Sequence, residues 1–369
     1  MSAAKRRPQR MSRTDEASVR LLEKLSMALG APGDEQDVAA IIRNELSSLG
    51  TPERDRLGSL IFRIGDPLGR PRIMIAAHMD EVAFMVSSIT KEGFLRFQTL
   101  GGWSATNLAG QRVIVRGKNG PVEGMIGSIP PHFLRKKEGG TPSPQLEDLL
   151  IDIGALNAKE AARQGIFVGA FVLPSPTFIR LQNPDLVLGK SFDDRVGCAL
   201  LVEVMKTLAK IPLPGTLYGA ATVQEEVGLR GARTAAQHVN PDIAIVLEGP
   251  PADDFPGIAK DGPQGALGGG VQIRCFDPTM VSNSRLRDHV IAVAERRRIK
   301  YQLTVRSSGG TDAGSIHLTG IGVPTIVLGI PVRYIHCHHG ILHLGDYRKA
   351  AKLLLNLIPT LDRKFSMSL

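Results

Sequence analysis

The 369-residue sequence contains only three cysteines, Cys198, Cys275 and Cys337, and no two of them form a CxxC pair. So sparse and odd a set excludes a disulfide framework and favours a reducing compartment, so we expect a cytoplasmic protein. Long apolar runs are also missing, and none reaches the length that a membrane helix needs. The first residues carry charge without a following apolar segment, so we expect no secretory leader and no membrane association.

Acidic residues are missing from the first fourteen positions, while the formal net charge of the chain is +9. The basic residues that precede the first acid, Asp15, are Lys5, Arg6, Arg7, Arg10 and Arg13. We interpret residues 1–14 as a disordered, solubilising tail; a nucleic-acid-binding arm or a short transit peptide are the less favoured alternatives. We therefore expect no nucleic-acid partner.

Helix-type and strand-type patterns alternate over most of the chain. Residues 15–29 and 34–49 have the apolar spacing of amphipathic helices, with Asp34 as the expected N-cap of the second. The run RIMIAA at 72–77 is typical of a strand that is buried on both faces. Helical patterns that include 281–298 and 346–361 alternate with strand patterns at 217–223, 243–247 and 324–330, which predicts a largely parallel sheet covered by helices.

Residues 84–176 differ from the segments on either side of them. Short β-type runs such as QRVIVRG and IFVGAFVL are separated there by glycine, proline and charged turns. We predict a small inserted β-rich domain at 84–176, within a larger α/β domain formed by 1–83 and 177–369.

Residues that can bind metal follow four of the predicted strands. His78 and Asp80 follow the strand at 72–77, and the Glu225–Glu226 pair follows the strand at 217–223. Glu248 follows the strand at 243–247, and His336 comes six residues after 324–330. In an open α/β sheet, ligands gather at the carboxyl ends of the strands, so we expect these side chains to meet.

The side-chain types indicate hydrolytic metal chemistry. Imidazole nitrogens and carboxylate oxygens without a thiolate suit zinc, cobalt or manganese. Two ions about 3.5 Å apart can share a bridging carboxylate, and the Asp193–Asp194 pair is its natural source. Of Glu225 and Glu226, one could bind metal while the other takes a proton from water. An exposed helix N-terminus would also favour two adjacent acids, but it would not explain His78 or His336.

Several sequence blocks resemble one known family, in order and over about residues 15–361. They are AAHMDEVAFMV, LGGW, GKSFDDRVG, VQEEVGLRGA and SGGTDAGSIHLTGIGVPTIVLGIPVRYIH. They are similar to blocks of the dinuclear tetrahedral, or glutamyl-type, aminopeptidases of metallopeptidase family 42. The resemblance implies a three-layer α/β catalytic domain of the zinc-peptidase type with an inserted β-barrel-like domain. It also implies an enzyme that removes N-terminal residues from peptides.

The resemblance also implies a role for each matching residue. Two divalent metal ions per subunit, with zinc preferred over cobalt or manganese, would be bound by His78, Asp193, Glu226, Glu248 and His336. Asp193 would bridge the ions, and the Asp193–Asp194 peptide bond would be cis. Asp80 would orient His78, and Glu225 would be the general base for a water activated by two metal ions. The family forms dimers that build a tetrahedral dodecamer through the inserted domain, so we expect the same homo-oligomer.

A few positions depart from the family pattern. Glu248 stands where the family usually has aspartate, and a longer acid there bears on the affinity of one metal site. His338 and His339 are additional histidines, which we interpret as part of a polar loop, with modulation of the site as the alternative. Residues 309–312, GGTD, lack the lysine of a phosphate-binding loop and are interpreted as a tight turn beside the substrate cleft.

Two other functions would also use clustered acids. A metal-independent glycoside hydrolase needs two carboxyl groups across a sugar and no metal ion. A catalytically inactive scaffold paralogue would keep the fold and lose the metal. Sensitivity to a chelator distinguishes the first alternative, and metal content distinguishes the second.

Overall fold

The computed structural model describes His132 and residues 13–128, 145–258 and 262–369. The described helices are α1 Arg13–Met27, α2 Gln36–Glu45, α3 Ala158–Arg163, α4 Phe192–Leu208, α5 Arg230–Val239, α6 Ser284–Arg296, α7 Ala313–Ile316, α8 Leu344–Leu357 and α9 Arg363–Ser366. Residues 1–12 of the predicted tail lie outside the described residues. The tail prediction was wrong at residues 13 and 14, because α1 already begins at Arg13.

The described strands belong to two sheets and a barrel. They are β1 Glu53–Arg54, β2 Leu60–Ile64, β3 Arg72–His78, β4 Ala83–Ile89, β5 Leu95–Leu100, β6 Arg112–Gly117, β7 Gly120–Ile126, β8 Ile151–Asp152, β9 Phe171–Pro174, β10 Phe178–Arg180, β11 Leu186–Gly189, β12 Thr216–Thr222, β13 Ile243–Glu248, β14 Val271–Asp277, β15 Met280–Val281, β16 Tyr301–Val305, β17 Thr325–Gly329, β18 Val332–Arg333 and β19 Gly340–His343.

The large sheet has the strand order β1-β2-β12-β3-β13-β17-β14-β15, and β16 also pairs with β14. Its four central strands, β12, β3, β13 and β17, run parallel, whereas β2 and β14 flank them in antiparallel pairings. A second sheet has the order β10-β11-β19-β18. The predicted mostly parallel, helix-covered sheet is therefore confirmed.

The alternation of side chains along β3 explains the three-layer arrangement. Ile73 and Ile75 pack on one face of the sheet, in a core shared with α1, α2, α4, α6 and α8. Met74 and Ala76 point to the opposite face, where they pack against α5 and α7. Because both faces are covered, β3 is apolar at nearly every position, as its sequence predicted.

Strands β4-β5-β8-β7-β6-β9 form a closed barrel, which lies between Ala83 and Pro174 in the chain. The barrel has its own apolar core, in which Phe84 stacks on Trp103 with ring centroids 4.7 Å apart. The indole Nε1 of Trp103 donates to the carbonyl of Ala83. A separate core is the usual physical mark of a domain, although the exact division of the chain stays a prediction.

Predicted helix boundaries differ from the structure by a few residues, and three of the differences have a clear physical reason. Asp34 is not the N-cap of α2, because Glu35 precedes that helix and Asp34 pairs with Arg116 at 2.8 Å instead. The helix predicted at 281–298 begins at Ser284, because Val281 pairs in β15. The last long helix ends at Leu357, where Pro359 lies in a short 3₁₀ turn. Among the described residues, no helix combines the length and apolar character that a membrane crossing requires.

Candidate metal centre

Three adjacent parallel strands bring the predicted residues to one edge of the sheet. His78 is the last residue of β3, and it lies opposite Thr222, the last residue of β12. Glu248 is the last residue of β13, on the other side of β3. Glu225 and Glu226 lie in the loop that follows β12. The carboxyl ends of these strands therefore meet, as the sequence predicted.

Asp193 reaches the same edge from the start of α4. Its peptide bond to Asp194 is cis, as expected, and both residues have non-helical backbone angles. The fully buried Asp194 carboxylate accepts from the amides of His78 and Gly197. Gly249 permits this close packing, because a Cβ at that position would lie 2.6 Å from the carbonyl oxygen of Phe192. Asp194 therefore fixes the loop backbone, while the side chain of Asp193 faces the site.

Asp193 stands between the two histidines. Its Oδ1 lies 3.2 Å from Nε2 of His78, and its Oδ2 lies 3.6 Å from Nε2 of His336. Glu248 Oε2 is 4.0 Å from the same nitrogen of His78, and Glu226 Oε2 is 3.6 Å from that of His336. Two groups of three side chains thus share Asp193, which is the arrangement that a bridging carboxylate requires.

The other ring nitrogen of each histidine is already engaged. Nδ1 of His336 lies 2.9 Å from the carbonyl oxygen of Gly102, so it must carry the proton that is donated there. Nδ1 of His78 is 3.1 Å from the backbone oxygen of Asp80 and 3.5 Å from its carboxylate. With Nδ1 engaged, Nε2 of each ring is the atom that faces the site and is available to bind a metal ion, which is how metal-binding histidines are usually held.

Asp80 makes contacts beyond the predicted one with His78. Its two carboxylate oxygens accept from the backbone amides of Glu225 and Glu226, each at 3.0 Å. Asp80 therefore fixes the loop after β12 as well as the imidazole at the end of β3. The sequence predicted only the second of these two contacts.

Burial and mutual repulsion control the ionisation of the acids. Burial raises the pKa of Glu226 to about 7, and burial together with the charge of Glu248 raises the pKa of Glu225 well above its usual value. Burial also raises the pKa of Glu248, and the neighbouring Asp193 adds to the shift. Burial acts the same way on Asp193, but hydrogen bonds from His336 and His78 outweigh it and lower the pKa of that carboxyl.

The donor set fits divalent metal ions. Within the described part of the chain, no lysine or arginine forms an ion pair with Asp193, Glu225, Glu226 or Glu248. The donor atoms in each of three groups lie within 4.8 Å of one another, and these groups are His78–Asp194–Glu248, His78–Glu225–Glu226 and Asp193–Glu226–His336. The oxygens of Asp194 are occupied by backbone amides, so we assign Asp193 rather than Asp194 to the metal. Several buried carboxyl groups that no lysine or arginine neutralises suit the binding of divalent cations.

A cleft of about 570 Å³ opens beside these residues. Glu225, Glu226 and Glu248 line this cleft together with Gly309 and Gly310. The GGTD turn therefore lies beside the cleft, as predicted. A cleft of this size matches those that bind small ligands in other proteins.

Several supporting residues were not predicted from the sequence. Lys190, Glu81 and Arg195 form a buried ion cluster, in which Nζ of Lys190 lies 2.5 Å and a terminal nitrogen of Arg195 3.1 Å from Oε1 of Glu81. Burial lowers the pKa of Lys190 to about 8. The cluster joins the segment that carries His78 to the one that carries Asp193. Glu81 directly follows Asp80, and Lys190 and Arg195 lie within three residues of Asp193. This closeness in sequence to predicted site residues is the signal that could have identified the cluster.

The interpretation of the additional histidines as a polar loop was wrong for His338. Its side chain is buried, and its ring lies 5.4 Å from the Trp103 ring, centroid to centroid. Neither ring nitrogen has a hydrogen-bond partner in the part of the chain that the structure describes. Burial lowers the pKa of His338 to about 4, so the ring is neutral and packs as an apolar group.

Comparison with known proteins agrees with this geometry. The family model for M42 glutamyl aminopeptidases matches residues 58–353. The glutamyl aminopeptidase of Lactococcus lactis is 37% identical over 350 residues, which cover 93% of this chain and 96% of that protein. The crystal structure of a TET aminopeptidase from a marine sediment thaumarchaeote has a TM-score of 0.91 at 42% identity, covering 96% of this chain and 99% of that one.

A second structural relative extends the comparison to an assembled enzyme. The TET1 peptidase of Pyrococcus horikoshii has a TM-score of 0.84 at 32% identity, covering 93% of this chain and 99% of that one. That peptidase can assemble into a tetrahedron or a large octahedral shell. The family model alone spans most of the sequence, and the relatives align over nearly its whole length. This chain belongs to the M42 glutamyl aminopeptidase family.

Proposed function

We propose that this protein is an aminopeptidase that removes N-terminal residues from peptides, with two divalent metal ions and Glu225 as the general base. The observation that carries the proposal is the position of Asp193, whose two oxygens face Nε2 of His78 and Nε2 of His336. Family membership supports the reaction, and the donor set supports the metals.

The contacts divide the ligands between two sites. His78, Glu248 and the Oδ1 atom of Asp193 would hold one ion, because these side chains converge on the end of β3. His336, Glu226 and the Oδ2 atom of Asp193 would hold the other. Oxygen and nitrogen ligands of this kind favour zinc, with cobalt or manganese as alternatives.

Glu225 remains for proton transfer once Glu226 is assigned to the second site. Its carboxylate lines the cleft, and its backbone amide is held by Asp80. When bound, the two ions would polarise the scissile carbonyl and lower the pKa of the attacking water. Glu225 would accept the proton of that water and deliver it to the leaving amine.

A glycoside hydrolase fits the site less well. Its two acids would flank a sugar at about 5 to 9.5 Å without a metal. Here the donor atoms of Asp193 and Glu226 converge within 4.8 Å of the imidazole of His336. An inactive scaffold is also disfavoured, because a side chain that can bind metal is present at each of the five proposed ligand positions.

Removal and replacement of metal tests the proposal. Wild-type protein should be treated with a chelator, checked for metal content by mass spectrometry, and assayed on a panel of aminoacyl-anilides and aryl glycosides. We expect anilide hydrolysis to be lost and then restored by zinc, cobalt or manganese. Glycoside hydrolysis that survives the chelator would overturn the proposal in favour of a glycosidase. Reconstituted protein that binds no metal would favour the scaffold.

We also propose that residues 84–176, including the barrel, form a domain that mediates oligomerisation. The support is the separate apolar core of the barrel and the likeness to a peptidase that assembles into shells. A tetrahedral dodecamer built from dimers is the assembly we propose.

The three free cysteines suit a reducing compartment, so we propose a cytoplasmic location.

A further inference from the structure

We propose that Glu35 is a positioning residue that holds the backbone beside the general base, Glu225. The inference rests on the proposed function of Glu225 and adds a residue that no sequence motif contained. Glu35 lies just before α2, and only 3% of its surface is exposed. In the sequence it precedes Gln224, in the loop after β12, by 189 residues.

The side chain of Glu35 contacts the loop after β12. Its Oε1 accepts from the backbone amide of Gln224 at 3.1 Å and from that of Gly33 at 2.7 Å. Acids are often found at a helix N-terminus because they cap it, but the side chain of Glu35 makes no capping bond to α2. Helix capping therefore does not explain why this carboxylate is buried.

Glu35 and Asp80 together hold three consecutive amides. Glu35 accepts from Gln224, and Asp80 accepts from Glu225 and Glu226. Strand β12 has already ended at Thr222, so these amides have no sheet partner. Each of them instead ends on a buried carboxylate.

The backbone at Gln224 needs such support. Its φ angle is +56°, in the left-handed region that residues with a Cβ atom seldom adopt. The later part of the loop is fixed by its own bonds, since the carbonyl of Glu225 accepts from the amides of Gly228 and Leu229. The carbonyls of Val223 and Gln224 accept from the amides of Gly231 and Arg230, but the amide of Gln224 bonds to Glu35. Glu35 therefore fixes the orientation of the peptide that enters the general-base position.

Loss of the acceptor should therefore alter the chemical step more than substrate binding. A shift of Gln224 would displace the Glu225 carboxylate, and a misplacement of about 1 Å can reduce a rate about 100-fold. His78, Glu248 and Asp193 lie on other elements and would keep their places. Glu226 lies in the same loop, but its amide bonds to Asp80 rather than to Glu35, so we expect it to stay as well. The expected signature is a lower kcat with little change in KM or metal content.

Glu35→Ala, Glu35→Gln and Glu35→Asp test the proposal, with Asp37→Ala as the control. Asp37 lies two residues after Glu35, in the first turn of α2, but it is exposed and pairs with Arg116. Each purified variant is reconstituted with zinc, its metal content is measured, and kcat and KM are determined on aminoacyl-anilides. We expect kcat to fall by about 100-fold in Glu35→Ala. Glu35→Gln should recover most of the rate, because its amide oxygen still accepts.

Glu35→Asp provides a second test of the same contact in case Glu35→Ala does not fold. Glu35→Asp retains the charge but cannot reach Gln224, so it should lose kcat as Glu35→Ala does. Wild-type kcat in folded, metal-loaded Glu35→Ala or Glu35→Asp would overturn the proposal. An equal loss in Glu35→Gln would also overturn it, because the charge rather than the acceptor would then matter. Glu225→Gln in the same assay distinguishes a failure of the Glu35 proposal from a failure of the general-base proposal. An active Glu225→Gln would refute the assignment of Glu225 as the general base.

Discussion

Oδ1 of Asp80 accepts a hydrogen bond from the backbone amide of Glu225 at 3.0 Å. Asp80 follows β3 and Glu225 follows β12, so this bond joins the ends of two neighbouring parallel strands. The same carboxylate lies 3.5 Å from Nδ1 of His78. The position of a proposed metal ligand and that of the proposed general base are thus coupled through one buried acid.

Replacement of Asp80 should impair both metal binding and turnover. In Asp80→Asn, the amide group retains one acceptor oxygen, so either Glu225 or Glu226 loses its partner. Residues that support metal ligands typically contribute 10- to 100-fold to affinity or activity, and we expect a loss of about that size. Zinc titration and kcat measurements on the same preparation check this. Unchanged values for both would show that Asp80 does not couple the two strands.

Substitutions of Glu248 test how a glutamate, at a position where the family usually has aspartate, affects metal affinity. Its Oε2 already lies 4.0 Å from Nε2 of His78, so the extra methylene is accommodated in the fold. We expect Glu248→Asp to retain two metal ions. Glu248→Ala should weaken one of the two sites by at least the roughly 10- to 100-fold that supporting residues contribute. Calorimetric titration of apoprotein measures both sites, and two unchanged affinities in Glu248→Ala would remove this residue from the ligand set.

The stability of metal-free protein should fall as the pH rises. Burial raises the pKa of Glu226 to about 7 in the folded chain, from an ordinary value of 4.5. The folded state therefore holds this proton more tightly than the unfolded state does. The resulting contribution to the free energy of unfolding is fully present below pH 4.5 and is lost as the pH rises through 7. His336 acts in the same direction; burial alone would lower its pKa, but Asp193 and Glu226 raise it to about 9. Thermal unfolding of chelated protein should therefore show a Tm that decreases between about pH 5 and pH 9.

Bound zinc should reduce this dependence, because a metal ion stabilises the folded state that binds it and holds its ligands deprotonated. Zinc-loaded protein at the same pH values is the control. A Tm of the chelated protein that rises over this range would contradict the raised pKa values of Glu226 and His336 in the folded chain.

Light scattering tests the proposed assembly. A tetrahedral dodecamer would have about twelve times the 39.7 kDa mass of the chain. Deletion of residues 84–176 is too disruptive to serve as a test, so the intact protein should be measured over a range of concentrations. A monomer at every concentration would exclude the dodecamer, and with it any restriction of substrates by an enclosed compartment.

Strand ends were the most informative feature of the sequence. His78, Glu225, Glu226 and Glu248 could be placed together because the carboxyl ends of parallel strands share one edge. Continuous apolar runs were enough to identify those strands, since β3 and β13 are buried on both faces. His336, six residues beyond a predicted strand, and the Asp193–Asp194 pair were also candidates from the residues alone. The choice of Asp193 over Asp194 as the bridge depended on the family blocks, because neither residue directly follows a central strand.

The tertiary contacts of other residues could not be predicted. Nothing local relates Glu35 to Gln224, which the fold brings within 3.1 Å. The burial of His338 depends on Trp103, which comes from a distant part of the chain. Asp34 has the sequence features of a helix cap, but Arg116 of the barrel provides a stronger partner. These contacts join segments that are far apart in sequence, so propensity and spacing carry no signal for them.

The most direct test of the account is Glu225→Gln, assayed beside its metal content. Glutamine keeps the size of the side chain and removes its ability to accept a proton. We expect two metal ions per subunit, an unchanged fold and a kcat that falls by about 10²- to 10⁴-fold, the usual contribution of a general base. A variant that retains both metal ions and substantial turnover would contradict the assignment of Glu225 as the base.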